Sequence, residues 1–124
     1  MKIQVLGTLT AADETARTIT GTVLPFGSEG RTSVGTVVAS RDSVSIADSV
    51  LLNMEHDNTR PLGRMLSHEL TDEGLVATFS VAKTTAGNDL LAEVAEGLRT
   101  GLSVEVDDPQ IKDGTLIGGL LSAV

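Results

Sequence analysis

The sequence predicts a mostly β fold with one main α-helix at about residues 85–99, and three observations carry that prediction. Apolar residues alternate at period two in several short runs, clusters of Gly, Pro, Asp and Thr separate those runs, and only one segment repeats its apolar residues at helical spacing. The 124 residues form a single domain over 1–124, because domains cluster at roughly 100–150 residues. With 40% hydrophobic and 21% charged residues the chain has material for a core and no compositional case for disorder. That core is aliphatic, since Phe26 and Phe79 are the only aromatic residues.

The elements follow in chain order. Ile3 to Thr8 alternates with one slip at Gly7, a polar stretch Ala11–Thr15 intervenes, and Thr18–Leu24 is β-rich, which predicts a hairpin. Pro25-Phe26-Gly27-Ser28-Glu29-Gly30 predicts a turn, because proline fixes φ and glycine allows positive φ. Val34–Ala39 reads as a strand, whereas Ser40–Asp48 fits a short helix or a loop equally well. The apolar run Val50–Met54 leads to Glu55-His56-Asp57, so His56 is expected near a strand end. Pro61–Leu70 and Leu75–Val81 predict a second hairpin around Thr71–Gly74.

Leu90, Leu91, Val94, Ala95 and Leu98 share one helical stripe, with Thr85 as the expected N-cap, Asp89 early and Gly101 past the end. Leu102–Val106 alternates as a strand that Asp107-Asp108-Pro109 is expected to break. Asp113-Gly114 predicts a hairpin tip between Ile111 and Leu116. The final run, Thr115–Val124, is apolar and strand-like and stops without a polar tail, so the expectation is a chain cut short, a mature product that ends here after processing, or a last strand that completes a barrel.

Charge and composition exclude several functions. A net charge of −8 opposes approach to a phosphate backbone, and the shortage of aromatics removes base stacking, so no nucleic-acid partner is expected. Without cysteine there is no thiolate chemistry. No signal-peptide pattern or apolar run of ~18 residues occurs, so neither export nor a membrane is expected. Gly27-Ser28-Glu29-Gly30 lacks the lysine and spacing of a phosphate loop, and Glu55, His56, Asp57 and His68 have no metal-site spacing. No cofactor or metal is assigned.

Hydrolysis by a serine needs a presented hydroxyl, an imidazole to take its proton and donors for the oxyanion. His56 and His68 are the only imidazoles, and His56 lies between two carboxylates that can orient a ring. Several blocks then occur in order: Ile19-Thr20-Gly21-Thr22-Val23-Leu24-Pro25-Phe26-Gly27, Met54-Glu55-His56-Asp57 with Arg60-Pro61-Leu62-Gly63-Arg64, Gly74–Phe79, and Glu96-Gly97-Leu98-Arg99-Thr100-Gly101-Leu102-Ser103-Val104-Glu105. This series resembles the prohead (capsid maturation) serine proteases of tailed bacteriophages.

The resemblance implies a fold like herpesvirus assemblin, a closed β-barrel of about seven strands with helices around it. It also implies that His56 and Ser103, 47 residues apart, are the catalytic pair of a serine endopeptidase. The expected substrate is a scaffold segment or the major capsid protein's extension, cut inside the assembling prohead in the host cytoplasm. Homodimerisation through the apolar C-terminal strand is a further expectation. At the position of the family's third, acidic residue the register places Ala123, which carries no carboxylate. Asp57 is therefore taken as the third site residue, with Glu105, on the same strand face as Ser103, as the alternative. His68 is a further candidate orienter, though it precedes the serine in the chain. The missing acid also admits a catalytically inactive assembly or scaffolding module that keeps the protease fold.

Overall fold

The computed structural model describes residues 2–27, 29–32, 35–39, 45–112 and 115–124. Among these residues the chain forms nine strands and one helix, so the mostly β class holds. The strands are β1 (Lys2–Asp13), β2 (Thr18–Pro25), β3 (Glu29–Thr32), β4 (Gly35–Val38), β5 (Ser45–Met54), β6 (Asp57–Leu70), β7 (Gly74–Val81), β8 (Gly101–Lys112) and β9 (Thr115–Ala123). Helix α1 (Thr85–Ala95) lies between β7 and β8.

The pairings close a ring of seven strands. β1 pairs with β2, β2 with β7, β7 with β6, β6 with β5, β5 with β9, β9 with β8, and β8 returns to β1. Every join is antiparallel except β5–β9, and the short β3–β4 hairpin bridges β1 and β9 outside the ring. Closure leaves the ring strands without long unpaired edges. Their inward residues fill one aliphatic core around Phe79, with Ile3, Ile19, Leu24, Leu75, Val104 and Leu121 fully buried. Helix α1 packs chiefly on β1 and also reaches β2, β6 and β7, burying Leu90 and Leu91.

Several boundaries differ from the sequence reading, each for a local reason. The alternation of β1 passes through Gly7 without a slip: Ile3, Val5, Gly7 and Leu9 face inward, and Leu6 faces out. A glycine has no side chain to reveal its face, so the residue pattern shows a slip at Gly7 that the strand itself does not have. β1 also continues through Ala11–Asp13, because a bulge after Leu9 keeps it paired with β2. The helix is shorter than expected. Thr84, not Thr85, caps it, with its hydroxyl accepting the N–H of Gly87 at 3.0 Å. Gly97 at φ 73° ends it well before Gly101, leaving Leu98 outside the helix and exposed.

Asp107-Asp108-Pro109 does not break β8. The pairing shifts from Asp107↔Leu120 to Gln110↔Gly118, and this bulge, with Asp108 at φ 48°, accommodates the proline within the strand. The turn after Pro25 is shorter than expected, since Glu29 and Gly30 already belong to β3. Ser45–Asp48 begins β5, which settles that part of the ambiguous segment as strand, and β6 starts at Asp57, before Pro61. Val34, residues 40–44 and the expected hairpin tip at Asp113-Gly114 lie outside the described residues.

Candidate functional site

The β5–β6 hairpin turns through only two residues, because Met54 pairs with Asp57 across the ladder. Glu55 and His56 occupy the turn with φ of 49° and 59°. Two successive positive φ values suit a tight hairpin, but Asn and Gly normally fill such positions. A non-glycine residue in the left-handed region is disfavoured by roughly 1–2 kcal/mol. Such strain persists only where surrounding contacts hold it, and it clusters at functional sites.

Contacts on both sides hold this turn. Nε2 of His56 lies 2.5 Å from Oγ of Ser103 in β8. The carboxylate of Glu55 meets Nη1 of Arg99 at 3.3 Å, and Nε of Arg99 donates to Glu93 of helix α1 at 2.9 Å. The hydrogen bond that Arg99 donates to Glu93, with a smaller contribution from the one to Glu55, holds the Arg99 guanidinium above its ordinary pKa. Arg99 thus ties the His56 turn to the C-terminal end of the helix.

Ser103 is presented by the register of β8. It lies opposite Leu6, with its neighbours Leu102 and Val104 opposite Gly7 and Val5. Val104 and Val106 are buried inside the ring, so Ser103 and Glu105 share the other face. Oε1 of Glu105 stands 3.6 Å from Nδ1 of His56, and both side chains are largely buried, at 18% and 13% exposure. Nδ1 itself is enclosed and makes no hydrogen bond at that separation. A proton on Nδ1 facing a carboxylate leaves Nε2 as the nitrogen that accepts from the serine hydroxyl.

The structure therefore brings together two of the three residues named as the site, His56 and Ser103, and turns the third elsewhere. Asp57 is fully exposed and accepts hydrogen bonds from the N–H of Thr59 at 2.9 Å and its hydroxyl at 2.6 Å. The Thr59 hydroxyl bond, then the backbone bond, lowers its pKa. Asp57 closes its own turn and is not the carboxylate at the imidazole; the one that faces it is Glu105. At Ala123 the backbone lies directly opposite Glu105, so the acid sits across one strand from the position expected for it. His68 lies on β6 opposite Ala77, away from the site, and Arg60 and Arg64 are exposed.

Beside Ser103 a cavity of about 230 Å³ opens between β1, helix α1 and the β5–β6 turn. Aliphatic side chains make up about half of the lining, together with Asn53, Glu55, His56 and Arg99. Sequence reasoning missed Arg99, Asn53 and Leu6. Arg99 lies inside the Glu96–Glu105 block but was given no role of its own, and the relevance of all three arises from what the ring places near Ser103. Among the described residues no group of three or more His, Asp or Glu side chains is arranged to hold a metal ion, and no helix is long and apolar enough to cross a membrane. Comparison of the chain with protein-family models, with curated proteins and with solved structures finds no match.

Proposed function

We propose that this chain is a serine endopeptidase that cleaves scaffold or capsid-protein segments during phage prohead maturation, with Ser103 as nucleophile and His56 as its base. The observation that carries the reading is the 2.5 Å contact between Nε2 of His56 and Oγ of Ser103, formed across 47 residues by a strained turn. A hydroxyl within 2.6–3.2 Å of an imidazole, or slightly closer as here, is in reach of general-base catalysis. The prohead assignment rests on the ordered sequence blocks alone.

In the proposed mechanism Oγ bonds to the scissile carbonyl carbon as its proton passes to Nε2. Glu105 faces the imidazolium that forms. The same proton then passes to the departing amine as the C–N bond breaks, leaving an acyl-serine that water hydrolyses by the reverse proton path. For the oxyanion the ladder suggests a donor. Leu9 donates to Thr100 at 2.8 Å, so the alternation of the β1–β8 ladder turns the N–H of Ser103 away from β1. That N–H is the group assigned to the developing negative charge.

One observation favours a second reading, a catalytically inactive capsid-assembly module: Nδ1 of His56 is buried without a hydrogen bond, 3.6 Å from Glu105. Two measurements separate the readings. A fluorophosphonate probe should label Ser103 covalently, detected by peptide mass spectrometry, and labelling should vanish in Ser103→Ala and slow by about 100-fold or more in His56→Ala. Co-expression with the cognate capsid protein should yield processed capsid protein with the wild type and not with Ser103→Ala. Equal processing in both removes the peptidase reading.

A further inference from the structure

We infer that the cavity beside Ser103 is a specificity pocket for an uncharged, medium-sized aliphatic side chain, of leucine or methionine type, on the acyl side of the bond to be cut. The inference rests on the peptidase reading and gives that site its substrate preference.

Size is the first argument. An apolar protein cavity of roughly 150 Å³ holds a benzene-sized molecule, whereas sites for whole small-molecule ligands run to roughly 300–1,000 Å³. At about 230 Å³ the cavity suits one side chain. Its lining supplies the second argument: Leu6, Ile19, Leu52, Leu62, Leu90 and Leu102 contribute aliphatic surface from strands β1, β2, β5, β6, β8 and from helix α1. Leu6 is the cross-strand partner of Ser103, yet it stays 45% exposed. In a non-hydrogen-bonded antiparallel pair, opposed side chains lie close, so the apolar wall begins immediately beside the nucleophile.

Charge completes the case. The lining holds one cation, Arg99, and one carboxylate, Glu55; they pair with each other at 3.3 Å, and Arg99 is further engaged by Glu93 at 2.9 Å. A substrate carboxylate would have to displace Glu55 or Glu93. A substrate ammonium would have to compete with Arg99 for Glu55 and lose its hydration against leucine side chains. Asn53, which also lines the cavity, is neutral and adds no charge to the wall.

The test uses p-nitrophenyl esters of N-acetylated leucine, methionine, glycine, glutamate and lysine, in which only the acyl side carries the varied side chain. Burying a leucine side chain predicts kcat/KM about 10- to 100-fold above glycine, with methionine similar and glutamate and lysine at or below glycine. Leu6→Asp, which places a carboxylate at the mouth, should reverse the order of leucine and lysine. A flat series, or preference for a charged ester in the wild type, overturns the pocket. If Ser103 proves unreactive to fluorophosphonate the peptidase reading fails separately. The pocket is then judged on Ser103→Ala, by methyl NMR shifts of Leu6 and Leu102 on titration with acetyl-Ala-Ala-Leu against acetyl-Ala-Ala-Glu. Saturable shifts with the leucine peptide alone support the pocket, and shifts with both or neither overturn it.

Discussion

Glu105 stands two residues beyond Ser103 on one strand face, and its carboxylate meets the far side of the same imidazole whose near side meets the Ser103 hydroxyl. One strand therefore supplies both groups that flank His56. Glu105→Gln should lower the rate of Ser103 acylation by on the order of 100-fold, since a neutral amide does not stabilise the imidazolium. Asp57→Asn, whose partner is Thr59, should change that rate by less than about threefold. Stopped-flow labelling with a fluorophosphonate compares the two; a larger loss at Asp57 reverses the assignment.

Arg99→Ala separates positioning from stability. Its ion pairs are substantially exposed, with the Glu55 side chain 75% accessible, so their loss should cost under about 1 kcal/mol of folding stability. The Ser103 labelling rate should nevertheless fall at least tenfold, because the strained turn carrying His56 loses its tether to the helix. Chemical denaturation and labelling on the same samples measure both effects, and Arg99→Lys should recover only part of the rate, having no planar fork to span two carboxylates.

Replacing Glu55 with glycine acts in the opposite direction on stability. Relief of a positive φ at a non-glycine residue should raise it by about 1 kcal/mol, while the freer turn holds His56 less well and slows labelling. A thermal melt showing no gain would mean that the contacts around the turn already offset the strain.

Gly63, inside the Arg60–Arg64 block, is held by close packing. A Cβ there would collide with the carbonyl oxygen of Ser80 on β7, and both partners are backbone that cannot step aside cheaply. Gly63→Ala should destabilise the fold by about 1–3 kcal/mol, read as a lower urea midpoint at unchanged slope.

The pH behaviour of Asp57 follows from its depressed pKa. Its ionised form is favoured in the folded protein, so its contribution to stability is complete above the ordinary carboxylate value of 3.8 and is lost as pH falls through the lower folded value. Thr59→Val removes the hydroxyl donor, the largest cause, and should move the carboxyl titration seen by ¹³C NMR upward toward that ordinary value. The backbone N–H of Thr59 remains, so part of the depression should persist.

Much of the fold was legible because period-two alternation records which face of a strand meets the core. Strands β2, β7 and the first half of β8 show it plainly, and the helix announced itself through Leu90 and Leu91. Boundaries were less legible where a bulge or a single positive φ decides them. Asp108 and Pro109 read locally as a stop, yet pairing with β9 carries the strand through them.

The strand-rich class, the aliphatic core and the two side chains worth testing as a pair, His56 and Ser103, were readable from the residues in order. Local pattern suffices for the class and the core, since each depends on neighbours in the chain, whereas the His56–Ser103 pair came from the ordered blocks that resemble the prohead proteases. Which carboxylate faces the imidazole, what holds its turn in a strained conformation and which residues line the cavity beside the serine emerged from the three-dimensional packing alone. Those relations join residues far apart in sequence, Glu105 with His56, Arg99 with Glu55 and Leu6 with Ser103, and closure of the strand ring is what sets them side by side.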